Sequence, residues 1–296
     1  MDGLKLLTPL PASSHLSEKP PVTARRGAGR IVIEHSAGRS RPIHLQGHSP
    51  LKLLAPETAS PAAMIYVSTF GGGLVAGDDI RLQLTAGPRT TTFLGTQSAT
   101  KIYRSTDGQA CGQSLVAHLA EDATLIAWPD PLIPFANSSY QQEQSFHLTP
   151  TSSLILIDSQ VAGRLARNER WAMHRFASRN RVTLANQPIL NDTLLLDKDD
   201  GPIATSARTG RYNSLTTLFL TGPATQPWAL ALDAEIRATP PGRHPPLLCT
   251  TTRLRNNAGL LIRIASTDPR LSATSLRSAL APVTTILGAD PWCRKW

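Results

Sequence analysis

With 296 residues, 41% of them hydrophobic and only 17% charged, the chain has the material for one large domain or two small ones, and its composition is that of a packed globular protein. The formal charge of +9 rests on 24 arginines against 6 lysines, a bias that suits planar, paired contacts with an acidic partner, protein or nucleic acid. Three widely spaced cysteines (Cys111, Cys249 and Cys293) imply neither a disulfide framework nor a zinc cluster, and no apolar run approaches the ~18 residues of a membrane helix, so a cytoplasmic protein away from membranes is expected.

Residues 1–28 read as a flexible N-terminal arm. They are rich in proline and have a short apolar stretch with no basic segment before it, unlike a signal peptide. Residues 29–296 read as a single β-dominated domain. From Arg30 onward, short β-branched or alternating segments recur between turn residues: "RIVIEH", "MIYVSTF", "IRLQLTAG", "TTFLGTQ", "QSLVAHLAED", "ATLIAWPD", "SFHLTP" and "SSLILIDS". Residues 161–178, "VAGRLARNERWAMHRFAS", have a helical composition without a clean apolar period, and read equally as a charged loop. Further strands are expected in "NRVTLANQPILNDTLLLD", "LTTLFLTG", "WALALDAEI" and "GLLIRIAS". The clearest helix is "TDPRLSATSLRSALAPVTTILG". Thr267 or Asp268 can cap it, Pro269 suits its first turn, and Pro282 should break or kink it.

A weak internal repeat runs through "LQLTAGPRTTTFLGT", "AHLAEDATLIAWP" and "FHLTPTSSLILID". Each has a strand, a small polar turn, a Thr/Ser-rich entry and a second apolar strand, with Leu84, Leu119 and Leu148 leading. Two readings stand: stacked β layers sharing one core, as in a β-helix or solenoid with one or two helices, or three ordinary hairpins of an all-β fold.

The stretch "STFGGGLVAGDD" (68–79) resembles a phosphate cradle and fails as one. Gly72 to Gly77 supply GxxxxG, but Asp78 and Asp79 stand where a P-loop needs Lys and Ser/Thr. The dinucleotide pattern over Gly71–Ala76 needs a helix after it, and "DDIRLQLTAG" alternates as a strand. Gly72, Gly73 and Gly77 therefore read as the hinge of a strand-to-strand turn, with Asp78 either its cap or a carboxylate beside a pathway.

Read on to Ser105, the same segment resembles the signature region of the UreD (UreH) family of urease accessory proteins. Gly72-Gly73-Leu74-Val75 and Gly77-Asp78 match the family's GG-φ-V-x-GD turn, while Thr96, Ala99-Thr100-Lys101 and Tyr103-Arg104-Ser105 match its "T-x-x-A-[ST]-K-x-YRS" segment. Weaker similarities, such as "LILIDSQVAGR" and "GRYNSLTTLFLTGP", extend from about residue 30 to 265. The resemblance implies a non-enzymatic chaperone with a β-helix-like fold and a water-filled passage for nickel. It would dock on urease apoprotein with UreF and the GTPase UreG. Nickel would be transient cargo, with no stably bound cofactor.

No CxxC, HxH or HExxH pattern occurs, which suits loose relay better than a tight cage. His44 and His48 lie among Pro42, Gly47 and Pro50, which argue against a chelating helix. By motif match Asp78 and Thr100 fall where the family places polar residues near its interior, and Asp192 aligns with an acidic position. Asp158 ends an apolar run and is either a strand-end turn residue or a buried functional group. Glu169 sits among Arg164, Arg167, Arg170 and Arg175, where charge pairing is the plain reading. These five, Asp78, Thr100, Asp158, Asp192 and Glu169, are the nickel-path candidates. Lys101, Tyr103, Arg104 and Arg164 are the partner-contact candidates, with Lys101 and Tyr103 expected on one strand face and Arg104 on the other. The alternative function is a basic binding module for nucleic acid or protein, motivated by the charge and the arginines of 164–181. With Trp171 and Phe176 the only interleaved aromatics, protein is favoured over nucleic acid.

Overall fold

A computed structural model of the chain describes residues 26–293. The sequence's arm lies outside them up to residue 25. Arg26–Ala28, assigned above to the arm, instead open the first strand, β1 (Arg26–Ser36). Then follow β2 (Arg39–Gly47), β3 (Leu51–Leu54), β4 (Ala63–Thr69), β5 (Gly73–Leu74), β6 (Asp79–Ala86), β7 (Thr91–Thr96), β8 (Lys101–Ile102), β9 (Cys111–Leu119), β10 (Thr124–Ala127), β11 (Ile133–Pro134), β12 (Ser139–Leu148) and β13 (Ser153–Val161). The rest comprises β14 (Arg175–Leu184), β15 (Gln187–Asp197), β16 (Ser214–Thr221), helix α1 (Gln226–Ala238), β17 (Leu247–Arg253), β18 (Leu260–Ser266), α2 (Pro269–Ala279) and α3 (Pro282–Leu287).

The chain winds as a β-solenoid of about 4 turns. Successive coils place β6, β9, β12 and β14 side by side and parallel in a seven-stranded sheet, and β4, β7, β10 and β13 likewise in an eight-stranded sheet. The two-residue strands β5, β8 and β11 form a narrow third sheet that closes one side. Parallel β1 and antiparallel β2 and β15 complete the first sheet, and antiparallel β3, β16, β18 and β17 complete the other.

The stacking explains the repeat, and corrects its register. Leu119 and Leu148 are true neighbours, but Leu84 pairs with Ala117, and the residue level with Leu119 is Ala86. The inward row Ile33–Ala86–Leu119–Leu148–Leu184 then runs through five parallel strands. Each large apolar side chain buried in such a row contributes about 1.5–3 kcal/mol. All nine residues of β13 are buried, because one face meets the facing sheet and the other lies under the helices.

The segment "WALALDAEI" is helix α1, not a strand. Ala229, Leu232 and Asp233 face the sheet at helical spacing, while Leu230, which lends the sequence its strand-like alternation, is 49% exposed. Ala, Leu and Glu favour helix, and Pro227 sits in the first turn. The protein thus has three α-helices among its described residues, against the one or two expected. The C-terminal helix is as expected. Asp268 caps α2, its carboxylate accepting the Arg270 N–H at 2.9 Å, and the helix stops before Pro282, which starts α3. Of residues 161–178, the middle is a loop with one 3₁₀ turn at Leu165–Arg167, and Arg175–Ser178 belong to β14. His44 lies in strand β2, in keeping with the argument against a helix there.

Candidate functional site: a polar layer inside the solenoid

Inward positions on β12 read Tyr140, Gln142, Gln144, Phe146 and Leu148; on β14 they read Phe176, Ser178, Asn180, Val182 and Leu184. The register stacks Tyr140 on Phe176, Gln142 on Ser178, and Gln144 on Asn180. Two polar rows therefore cross an otherwise apolar interior, and backbone pairing holds them there.

Asp158 meets those rows from the facing sheet. It lies within β13, three residues short of its end, on the face shared with Leu154 and Leu156. Its reading as a strand-end turn residue does not hold. The carboxylate accepts from Ser178 Oγ at 2.5 Å, Asn180 Nδ2 at 2.9 Å and Gln142 Nε2 at 3.2 Å. Burial pushes its pKa up, and the three hydrogen bonds pull against that rise, with nearby Asp192 adding to it. Gln142 Oε1 accepts from Tyr140 Oη at 3.0 Å and Gln113 Nε2 at 2.5 Å, and Gln144 Nε2 donates to Asn180 Oδ1 at 2.8 Å.

The layer ends on an ion pair. Asp192 on β15 continues the row of Gln144 and Asn180. Arg263 on β18 continues the row of Asp158 and Thr217. Arg263 donates to Asp192 at 2.5 Å, linking the two sheets a second time; Asp192 is 7% exposed, and about half of the Arg263 side chain is exposed. At the opposite end Gln113 borders a small cavity of about 30 Å³, which it lines together with Thr69, Gly72, Thr96, Ser98 and Thr100. That volume admits a water molecule, and the lining has the hydroxyls and amide to hold one. The structure thus brings Thr100, Asp158 and Asp192 to one polar layer and its margin.

Asp78 and Glu169 are placed differently. Asp78 is 4% exposed, and its Oδ2 accepts the Val75 N–H at 3.0 Å, closing the glycine turn as a cap. Gly71, Gly72 and Gly77 all have φ between +68° and +92°. Gly73 is required for a different reason: a Cβ there would collide with the Lys101 carbonyl and lie 2.8 Å from Tyr103 Cε2. Glu169 pairs with Arg164 and accepts the Ala136 N–H at 3.2 Å; that pairing, chiefly its hydrogen bond from Arg164, holds its carboxyl below the usual range.

The partner-contact candidates gather on the narrow third sheet. Tyr103 donates to the Gly71 carbonyl at 3.1 Å and meets Phe135 edge-on at 5.3 Å, and the Arg164 guanidinium lies 3.9 Å over the Phe135 ring. Strand β8 ends at Ile102, so the expected alternation stops: Lys101 and Arg104 are both exposed, and buried Ile102 is the inward residue. Phe70 and Val75, 61% and 45% exposed, follow on the glycine turn.

The arginines of 164–181 are mostly engaged within the protein. Besides Arg164, Arg170 holds the Gly210 and Tyr212 carbonyls, Arg175 pairs with Asp197, and Arg181 pairs with Glu143. Among the described residues no group of three or more His, Cys, Asp or Glu side chains is placed to hold a metal ion, and no helix is long and apolar enough to cross a membrane.

Sequence reasoning missed Gln113, Gln142, Gln144, Ser178, Asn180 and Arg263. A signal for four of them is present. "YQQEQSFHL" and "FASRNRVTL" keep strict alternation, yet their inward positions read Y-Q-Q-F-L and F-S-N-V-L. Polar residues in an apolar register mark an interior layer.

Fold and site together define a β-solenoid protein with a hydrogen-bonded polar layer between its two large sheets. The family model described as UreD urease accessory protein matches residues 25–295, and the chain belongs to that family. It is similar to the urease accessory protein UreD of Sorangium cellulosum, at 40% identity over 92% of this chain and 85% of the relative. For that of Anaeromyxobacter sp. the figures are 38%, 93% and 92%, and for urease accessory protein D of Oryza sativa subsp. indica 30%, 91% and 96%. The protein is an accessory factor in urease maturation, associated with that machinery and non-catalytic.

Proposed function

We propose that the protein is a cytoplasmic scaffold that docks on urease apoprotein together with UreF and UreG and passes nickel as transient cargo along the polar layer, with the chain from Arg26 onward acting as one domain. The observation that carries this reading is Asp158: a buried carboxylate surrounded by Gln142, Ser178 and Asn180, and set between the Thr100 cavity and Asp192. Carboxylate and hydroxyl oxygens bind a divalent ion without trapping it, and a passing ion would displace the amide N–H groups that now donate to Asp158. Lys101, Tyr103, Arg104 and Arg164, with exposed Phe70 and Val75, offer an apolar and cationic face suited to an acidic protein partner.

Co-expression with urease subunits, UreF and UreG tests the proposal, read by pull-down and by nickel content of the purified urease. Asp158→Ala should leave the complex intact and the urease nickel-poor. Joint alanine replacement of Lys101, Tyr103 and Arg104 should lose the complex. Full nickel loading with Asp158→Ala would rule out the interior route.

A further inference from the structure

We propose that His118 and His147, on the outer face of the seven-stranded sheet, form a two-imidazole site for a borderline divalent cation such as Ni²⁺ or Zn²⁺. The site is separate from the interior layer and stands independently of the nickel-passage reading.

His118 on β9 and His147 on β12 are direct partners in the parallel register. Their rings stack with centroids 4.6 Å apart and planes 12° from parallel. The same outward row continues to Thr85 on β6 and Thr183 on β14. Thr183 decides which nitrogen of His147 is available. Its hydroxyl donates to the Phe146 carbonyl at 3.4 Å, so its oxygen is left to accept from His147 Nδ1, 3.0 Å away. With the proton on Nδ1, Nε2 keeps its lone pair. This is the arrangement by which an outer hydrogen bond fixes the tautomer of a metal-binding imidazole.

Burial, and then the neighbouring His118, hold the His147 pKa below its usual value, which favours the neutral ring that a metal needs. His118 is exposed, so an ion can reach the pair from solvent. Strands about 4.8 Å apart set both imidazoles within reach of one ion, given a rotation of the exposed His118 side chain that brings its ring nitrogen to an ion on His147 Nε2 while Thr183 keeps His147 in place. Two neutral nitrogens select borderline metals over Mg²⁺ or Ca²⁺, and water would fill the remaining coordination positions. Such a site holds its ion loosely.

Titration calorimetry of the untagged full chain with NiCl₂, and separately with MgCl₂, tests the assignment. A saturable Ni²⁺ site is expected, at least tenfold weaker in His118→Ala and in His147→Ala, unchanged in a variant of another exposed histidine, His35→Ala, and with no Mg²⁺ counterpart. Long-range ¹H–¹⁵N spectra of the metal-free protein should show His147 as the Nδ1–H tautomer. Equal Ni²⁺ affinity in wild type and the His118→Ala/His147→Ala double variant, or no saturable Ni²⁺ binding at all, would overturn the proposal. Both side chains point away from the core, so these variants should fold normally.

Discussion

Asp158 on β13 and Asn180 on β14 join the two large sheets through a 2.9 Å hydrogen bond, far from any backbone pairing between those strands. Asn180 in turn accepts from Gln144 at 2.8 Å, so the contact orders a row of side chains as well as a pair. A buried carboxylate in such a position costs stability when ionised, and its three hydrogen-bond donors offset part of that cost.

The first prediction follows from that cost. Burial raises the Asp158 pKa above 3.8 in the folded state, so its contribution to stability is fully present below the unfolded value and is lost as pH rises through the folded value. Urea unfolding followed from pH 4 to pH 7 should show this downward slope in wild type, and Asp158→Asn should lack it. Identical slopes in the two proteins would mean that Asp158 is not the titrating group.

A second prediction concerns the ion pair at the end of the layer. Removing the Arg263 head group with Arg263→Met strands a nearly buried Asp192 and should cost about 1–3 kcal/mol by urea midpoint, discounted for the half-exposed guanidinium. Asp192→Asn combined with Arg263→Met should recover most of the loss, because neither charge is then left alone. No recovery in the double variant would show that the two side chains act separately.

The glycine turn distinguishes two kinds of glycine. Gly73→Ala drives a methyl into the Lys101 backbone and against Tyr103, and should destabilise by about 1–3 kcal/mol. Gly71 has open space around it but φ of +92°, so Gly71→Ala should cost only backbone strain, about 1 kcal/mol. Thermal unfolding of both variants orders them. A larger loss for Gly71→Ala would contradict the packing argument.

Glu169 and Asp158 should separate in function. Glu169→Ala removes the partner of Arg164 at the third sheet, and is expected to weaken capture of the maturation partners while leaving the interior layer unchanged. Asp158→Ala is expected to do the reverse. Nickel content per urease retained in pull-downs reads both effects. A nickel loss with normal capture in Glu169→Ala would place it on the metal route after all.

Much of the architecture is legible in local pattern. Short alternating segments broken by Gly, Pro and Asp predict strands, and the Thr/Ser-rich returns before "FLGT", "LIAW" and "LILID" suit coils that stack as well as they suit separate hairpins, with the family resemblance favouring coils. The register is not legible, because Leu84 and Leu119 look alike in sequence and only pairing shows that Ala86 is the residue level with Leu119. Helix α1 is misread for a related reason: Leu230 and Leu232 alternate, and only burial tells that one faces solvent. Asp158 is half-legible, since a lone acid after "LILI" is conspicuous but its donors lie 16 to 22 residues away in sequence.

The chain's β-rich character, a glycine-hinged turn without the lysine of a phosphate loop, and the family resemblance carried by Gly72 to Ser105 can all be read from the amino-acid order alone. Those properties rest on local chemistry: side-chain alternation, backbone freedom at glycine, and the missing lysine after Gly77. It is the folded arrangement that makes Asp78 the cap of its turn, sets Glu169 against Arg164, and gathers Gln142, Asp158, Asn180 and Asp192 into one buried layer. The physical reason is stacking. A β-helix brings residues about thirty positions apart to within one strand spacing, and it brings two sheets face to face, so the partners of Asp158 and Asp192 are far from them in the chain.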